Sequence, residues 1–272
     1  MKGNLFLLNR RQNTDEVHMT KKLSLDYKEI VVPSGEFYRG ITEEDGRNLL
    51  NYGSAVMPNE RPQRKIYLDE LYVDKYPITN EQFELFELST GFRTPSIKEY
   101  GNWRDYYAQG TKTHPVVCIP FEVMNLYALW RGKRLLTEAE WEKASRGSDK
   151  RFWPWGNDFS PDKCNAKESK IGCLTSVDKF ELYKSPYGCV DMVGNCWEIV
   201  SDWYDVDYIG MHNYYAISHQ RNPEGPESGI VHVMRGGAFS TLLGNCRCSF
   251  RIGYDSSTKW DRVGFRCARG RK

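Results

Sequence analysis

Long apolar runs are missing from this 272-residue chain. Near the N-terminus only Leu5–Leu8 is continuously apolar before charges resume. That is too short for a signal-peptide core and far too short to span a bilayer. The sequence therefore predicts a cytoplasmic protein with mostly reduced thiols and no membrane partner. An excess of charge is missing too. Lys and Arg number 38 against 36 Asp and Glu, with no basic stripe, which excludes a nucleic-acid binder held by phosphate contacts. The eight cysteines (118, 164, 173, 189, 196, 246, 248, 267) include no C-x-x-C pair, which excludes a zinc knuckle. The five histidines show neither H-x3-H nor H-E-x-x-H spacing.

What is abundant is aromatic side chain, glycine and proline: 8 Trp, 17 Tyr, 23 Gly and 12 Pro point to a loop-rich fold pinned by buried rings. Residues 1–27 are polar and aperiodic and read as a flexible N-terminal arm. In "EIVVPSGEFYRG", Pro33-Ser34-Gly35 reads as a turn between two short strands. "RKIYLDELYVDKYPIT" alternates at Ile66, Leu68, Leu71 and Val73 like one half-buried strand. Thr79 with Gln82, and Thr137 with Glu140, form capping boxes that predict helices ending at Gly91 and Gly147. A further helix is expected over Phe121–Trp130, just after Pro120. Beyond residue 150 the helical pattern gives way to short strand-like runs, "CWEIVSDWY" and "GIVHVMRGGAF". With no linker after residue 30, residues 28–272 read as a single α+β domain of low regular structure.

Several segments together carry a resemblance. "VPSGEFYRG", "LYVDKYPITNEQFELF", "HPVVCIPFEVMNLYALWRGKRLLTEAEWEKASRG", "FWPWGND", "YGCVDMVGNCWEIVSDWY", "RGGAF" and "RVGFRCAR" run in order from about residue 29 to residue 269. In that order they resemble the formylglycine-generating-enzyme, or sulfatase-modifying-factor, family. The resemblance implies an elaborated C-type-lectin-like fold. It also implies structural calcium at "DMVGNCWE", held by the carbonyls of Val193, Gly194 and Cys196 and the Glu198 side chain, because a hard cation takes oxygen ligands. A second site would begin at Asn165 and the Ala166 carbonyl.

The family's aerobic enzymes oxidise a substrate cysteine with copper(I) and oxygen. They use two cysteines after a Gly-Gly turn and a serine directly after the second glycine. Counted from Gly237, the serine position holds Ala238, the first cysteine position Thr241 and the second Cys246. A hydroxyl is a poor ligand for a soft monovalent metal. Cys248 is an additional thiol two residues on. Were the stretch a strand, both cysteines would face the same way about 6–7 Å apart. Packing, a metal pair and a redox switch all stay open for them. The H-x3-H-x-E spacing of the iron-dependent sulfoxide synthases is absent.

The resemblance thus implies a non-catalytic module that binds a protein or small-molecule ligand in a cleft formed by residues 235–265. Phe239, Leu242, Leu243, Tyr254 and Trp260 would form the contact patch. The alternatives are a copper oxidase with an altered site built from Cys246 with Cys248 or Thr241, an accessory subunit of a partner enzyme, or the variable protein of a diversity-generating retroelement.

Overall fold

In a computed structural model of the chain, residues 27–54, 57–97, 100–108, 110–204, 214–254 and 260–270 are described. The N-terminal arm of the sequence reading lies outside them but for its last residue. No helix among the described residues is long and apolar enough to cross a membrane.

Three helices start where a threonine and a residue three places on satisfy each other's backbone N–H groups. Helix α1 (Glu43–Leu50) is capped by Thr42 with Asp45, a helix the sequence reading did not anticipate. Helix α2 (Asn80–Thr90) begins at Thr79 with Gln82 and ends at Gly91, whose φ of 72° is left-handed. Helix α3 (Phe121–Trp130) follows Pro120, and α4 (Glu138–Arg146) runs from the Thr137–Glu140 box to Gly147. A single turn, α5 (Tyr214–Ile217), is the one α-helix among the described residues beyond 150.

Among the described residues the strands form two four-stranded sheets and one two-stranded sheet. One sheet has the order β1-β4-β10-β5, formed by Glu29–Val32, Leu71–Asp74, Cys267–Gly270 and Arg134–Leu135. It joins the two ends of the domain, with Ile30 opposite Val73 and Ala268 opposite Val73 from the other side. The other sheet, β8-β7-β6-β9, comprises Arg251–Gly253, His232–Arg235, Trp197–Trp203 and Val263–Gly264. Strands β2 (Gly35–Arg39) and β3 (Arg64–Leu68) pair with each other, and on its other edge β3 carries an isolated parallel bridge from Tyr67 to Arg221.

One expectation holds and one is corrected here. The Pro33–Gly35 turn separates two strands as expected, and β1 and β2 enter different sheets. The alternation over 64–74 is likewise two strands, β3 and β4, broken at Asp69-Glu70. Periodicity reports which face is apolar and is silent on which neighbour a strand joins.

Helix α4 ties these layers together. Its Trp141 is fully buried between them, and Glu138, Glu142 and Arg146 recur every four residues on one face. All three are buried and charged, so each is paired. Glu138 accepts from Arg251 (2.6 and 2.9 Å) and Arg235 (3.1 Å). Glu142 accepts from Arg235 (2.6 Å), Arg146 (2.8 Å), the Gly40 N–H (2.7 Å) and the Tyr215 hydroxyl (2.8 Å). A second pair sits nearby, where Glu60 meets Arg247 and the Ser249 hydroxyl.

Candidate functional site

Strand β7 ends at Arg235 and turns on two glycines, both left-handed (φ 90° at Gly236, 78° at Gly237). Neither position has room for a side chain. A β-carbon on Gly236 would stand 2.9 Å from the Met192 carbonyl and 3.2 Å from the Trp141 ring, and one on Gly237 would stand 2.4 Å from the Cys246 sulfur. The turn is laced to residues 191–196: the Gly194 N–H donates to Gly236 O (2.9 Å) and the Phe239 N–H to Asn195 O (3.0 Å).

Ala238 is fully buried, and its N–H donates to the Thr241 hydroxyl oxygen at 3.1 Å. Thr241 therefore caps the turn with the group it would need as a ligand. Cys246 is fully buried in a cluster with Ile41, Leu49, Trp153, Cys164 and Leu243, and its thiol points to Thr241 O at 3.7 Å. Burial pushes that thiol far above the usual thiol range. Cys248 faces elsewhere: its sulfur accepts from the Ser145 hydroxyl on α4 at 3.0 Å, and burial pushes it up to about 11.

The stretch is not a strand, so the same-face geometry expected for the two cysteines does not arise. Leu243–Asn245 form a turn of 3-10 helix, and Cys246 and Cys248 make contact with different parts of the core. Among the described residues, no three His, Cys, Asp or Glu side chains converge as a metal site.

The expected contact patch divides. Leu243 is fully buried, its N–H bonded to Glu168 (2.8 Å) and its carbonyl to the Trp153 indole (3.3 Å), so it belongs to the core. Leu242 beside it is 42% exposed. Phe239 is half-buried with the Arg262 guanidinium 5.1 Å above its ring, and Arg262 also donates to the Ser240 hydroxyl (2.6 Å). Tyr254 and Trp260, both half-buried, meet edge to face at 4.3 Å. The 3-10 turn Trp260–Arg262 thus connects Tyr254 to Phe239 across one face.

A model of the sulfatase-modifying factor enzyme 1-like domain matches residues 14–271 of this chain. The chain belongs to that family. It is 33% identical over 259 residues to the serine/threonine-protein kinase pkn1 of Chlamydia caviae, a match covering 90% of this chain and 40% of that protein. The chain therefore spans about two fifths of that relative's length. To the formylglycine-generating enzyme of Mus musculus it is 28% identical, covering 89% of this chain and 74% of the enzyme. Among solved structures, PvdO from Pseudomonas aeruginosa superposes with a TM-score of 0.72 at 24% identity, covering 89% of this chain and 94% of that one. The single-domain, C-type-lectin-like α+β fold expected from the sequence is the one present.

Within this sulfatase-modifying-factor fold, the donors available fit calcium better than copper. Copper(I) calls for two soft thiolates, and the chain brings one enclosed thiol, Cys246, to the family position. For calcium, Glu198 does not fit. Both its oxygens are held by Arg266 (2.7 Å each), one of them also by the Trp141 indole (2.9 Å), so its charge is already balanced. Asp191, which the sequence reading passed over, stands at the head of the same loop. It is buried, one oxygen accepts from Asn195 (2.8 Å), and the other has no partner. Asn165 lies against this loop, its carbonyl accepting from the Asn195 N–H (2.8 Å) and its side chain donating to Asn195 Oδ1 (3.1 Å). The carboxylate in "CVDMVGN" was the signal available in the sequence; the left-handed backbone at Asp191 and Asn195 (φ 54° and 61°) came with the fold.

Proposed function

We propose that this chain is a non-catalytic recognition module on a formylglycine-generating-enzyme-like scaffold. It binds a protein or small-molecule ligand on the face of segment 235–265 that carries Phe239, Leu242, Tyr254, Trp260 and Arg262. One observation carries the reading: Cys246 is sealed beneath Gly237 and kept as a thiol, with Ala238 and Thr241 where the family's oxidases place a serine and a cysteine. The aromatic groups on this face are partly exposed, and an arginine lies among them, the composition that dominates binding hot spots. The kinase named above holds a matching segment in a longer chain, which suits a recognition part working beside an activity housed elsewhere.

Calcium has a structural part in this reading. Asp191 and Asn165, with carbonyls of the 193–196 turn, would hold the ion, which would neutralise the buried carboxylate and stiffen the loop that supports the Gly-Gly turn.

The test is incubation of the purified chain with copper(I), oxygen and a C-x-P-x-R peptide, following the peptide by mass spectrometry. No mass loss at the peptide cysteine is expected. Turnover would overturn the non-catalytic reading, and stoichiometric copper(I) binding abolished by Cys246→Ser would revive the altered-site oxidase.

A further inference from the structure

Six arginines are buried among the described residues, and five of them meet a carboxylate: Arg146 and Arg235 at Glu142, Arg247 at Glu60, Arg251 at Glu138 and Arg266 at Glu198. Arg39 is the exception. Its guanidinium donates to Tyr215 O and the Ser218 hydroxyl, lies 3.9 Å over the Tyr215 ring, and leaves Nε without a partner. Directly opposite it in the β2–β3 pair is another arginine, Arg64. Arg64 uses the same acceptors, Tyr215 O and Ser218 Oγ (both 3.3 Å), and adds Ser218 O at 2.8 Å. Like charges facing each other across a strand pair repel, and all the acceptors here are neutral. Burial and Arg39 both hold Arg64 below the usual arginine range, as they would for a cation short of a counter-charge.

Arg64 also forms the wall of a cavity of about 610 Å³, with Glu36, Lys65, Tyr67, Gln220 and Arg221. Three cations and one carboxylate thus surround the space. Lys65 pairs with Glu36 (3.3 Å) and Arg221 with Asp69 (2.5 Å), both exposed pairs of the kind that exchange readily with solvent ions. Arg221 stacks 4.5 Å over the Tyr67 ring, which leaves an aromatic wall beside the charge.

We propose that this cavity binds a small phosphate monoester, its phosphate on Arg64 with Lys65 and Arg221 at the rim, and its organic part against Tyr67. A single carboxylate brings one charge, whereas a phosphate monoester brings close to two and three acceptor oxygens, enough to offset two facing guanidinium groups. The space exceeds what a bare phosphate needs and lies within the range of small-ligand pockets.

The experiment is calorimetric titration of the full chain with phenyl phosphate, inorganic phosphate and benzoate at one ionic strength. Phenyl phosphate is expected to saturate a single site, inorganic phosphate to bind more weakly and benzoate not to bind. Arg64→Gln should weaken phenyl phosphate about tenfold or more. Arg134→Gln, in a different cavity, should leave it unchanged. Should Arg64→Gln fail to fold, Lys65→Gln and Arg221→Gln supply the readout from exposed positions, each with a weakening of about threefold. The proposal is overturned by no saturable heat up to about 10 mM phenyl phosphate, by equal binding of benzoate, or by equal weakening in Arg134→Gln. Equal affinity for inorganic phosphate overturns the monoester assignment.

Discussion

The sulfur of Cys246 lies 2.4 Å from the point where a β-carbon on Gly237 would stand. The second glycine of the turn and the thiol at the family's catalytic position therefore fit each other as packing partners. Gly237→Ala is expected to lose about 2–4 kcal/mol, from the left-handed backbone and the overlap together. Gly237→Ala with Cys246→Ala should recover the steric part and keep the backbone part. Chemical denaturation of both variants and of Cys246→Ala separates the two; strict additivity would show that the contact has no energetic weight.

Thiol reactivity should follow the same geometry. Cys173 is exposed and the other seven cysteines are buried and free. A disulfide-exchange reagent should modify one thiol quickly in the native protein and all eight after unfolding. Cys173→Ser should remove the fast phase. Rapid modification of Cys246, located by peptide mapping, would contradict an enclosed thiol and restore it as a reactive group.

Glu198 and Arg266 make a bidentate pair with both side chains buried. Arg266→Met leaves the carboxylate without its cation and should cost about 3–5 kcal/mol in urea unfolding. Calcium should act at a different residue. Calcium added after chelation is expected to raise Tm, by an amount equivalent to about 2.7 kcal/mol at a hundred times its Kd. Asp191→Asn should abolish that rise. A Tm indifferent to calcium in the parent chain would remove the ion from the account.

Asp202 supplies a pH dependence. Burial, with Glu138 beside it, pushes its carboxyl up to about 7 from 3.8, while the Glu138 N–H donates to it at 2.8 Å. The folded state thus holds the proton more tightly than the unfolded chain. This contribution is complete below pH of about 4 and is lost as pH rises towards 7, by at most about 1.4 kcal/mol per pH unit. Asp202→Asn keeps an oxygen for the Glu138 N–H and cannot ionise. Its stability relative to the parent should rise between pH 4 and pH 7 and then level off, measured by denaturant melts across that interval. A constant difference would place the ionisation elsewhere.

Local chemistry was legible in the sequence. Thr79 with Gln82 and Thr137 with Glu140 marked two helix starts because a capping box is satisfied within four residues. The order of seven segments likewise announced the family. Asp45 beside Thr42 carried the same signal for α1 and went unused, in a short segment where Gly46 lowers helix propensity.

Other outcomes required distant parts of the chain to meet. Leu242 and Leu243 are adjacent and chemically identical, yet a 3-10 turn exposes one and sets the other under Trp153. Glu198 reads as a calcium ligand until Arg266, 68 residues away, is seen to hold it. Arg39 and Arg64 look like ordinary surface cations until β2 and β3 pair and set them opposite each other. Two capping boxes and the family motifs could thus be read from the chain alone, since caps and motifs span a few residues. Which charges are balanced, which thiol is enclosed and which cavity is lined by cations depended on the fold, because burial and counter-charge belong to residues that only tertiary contacts bring together.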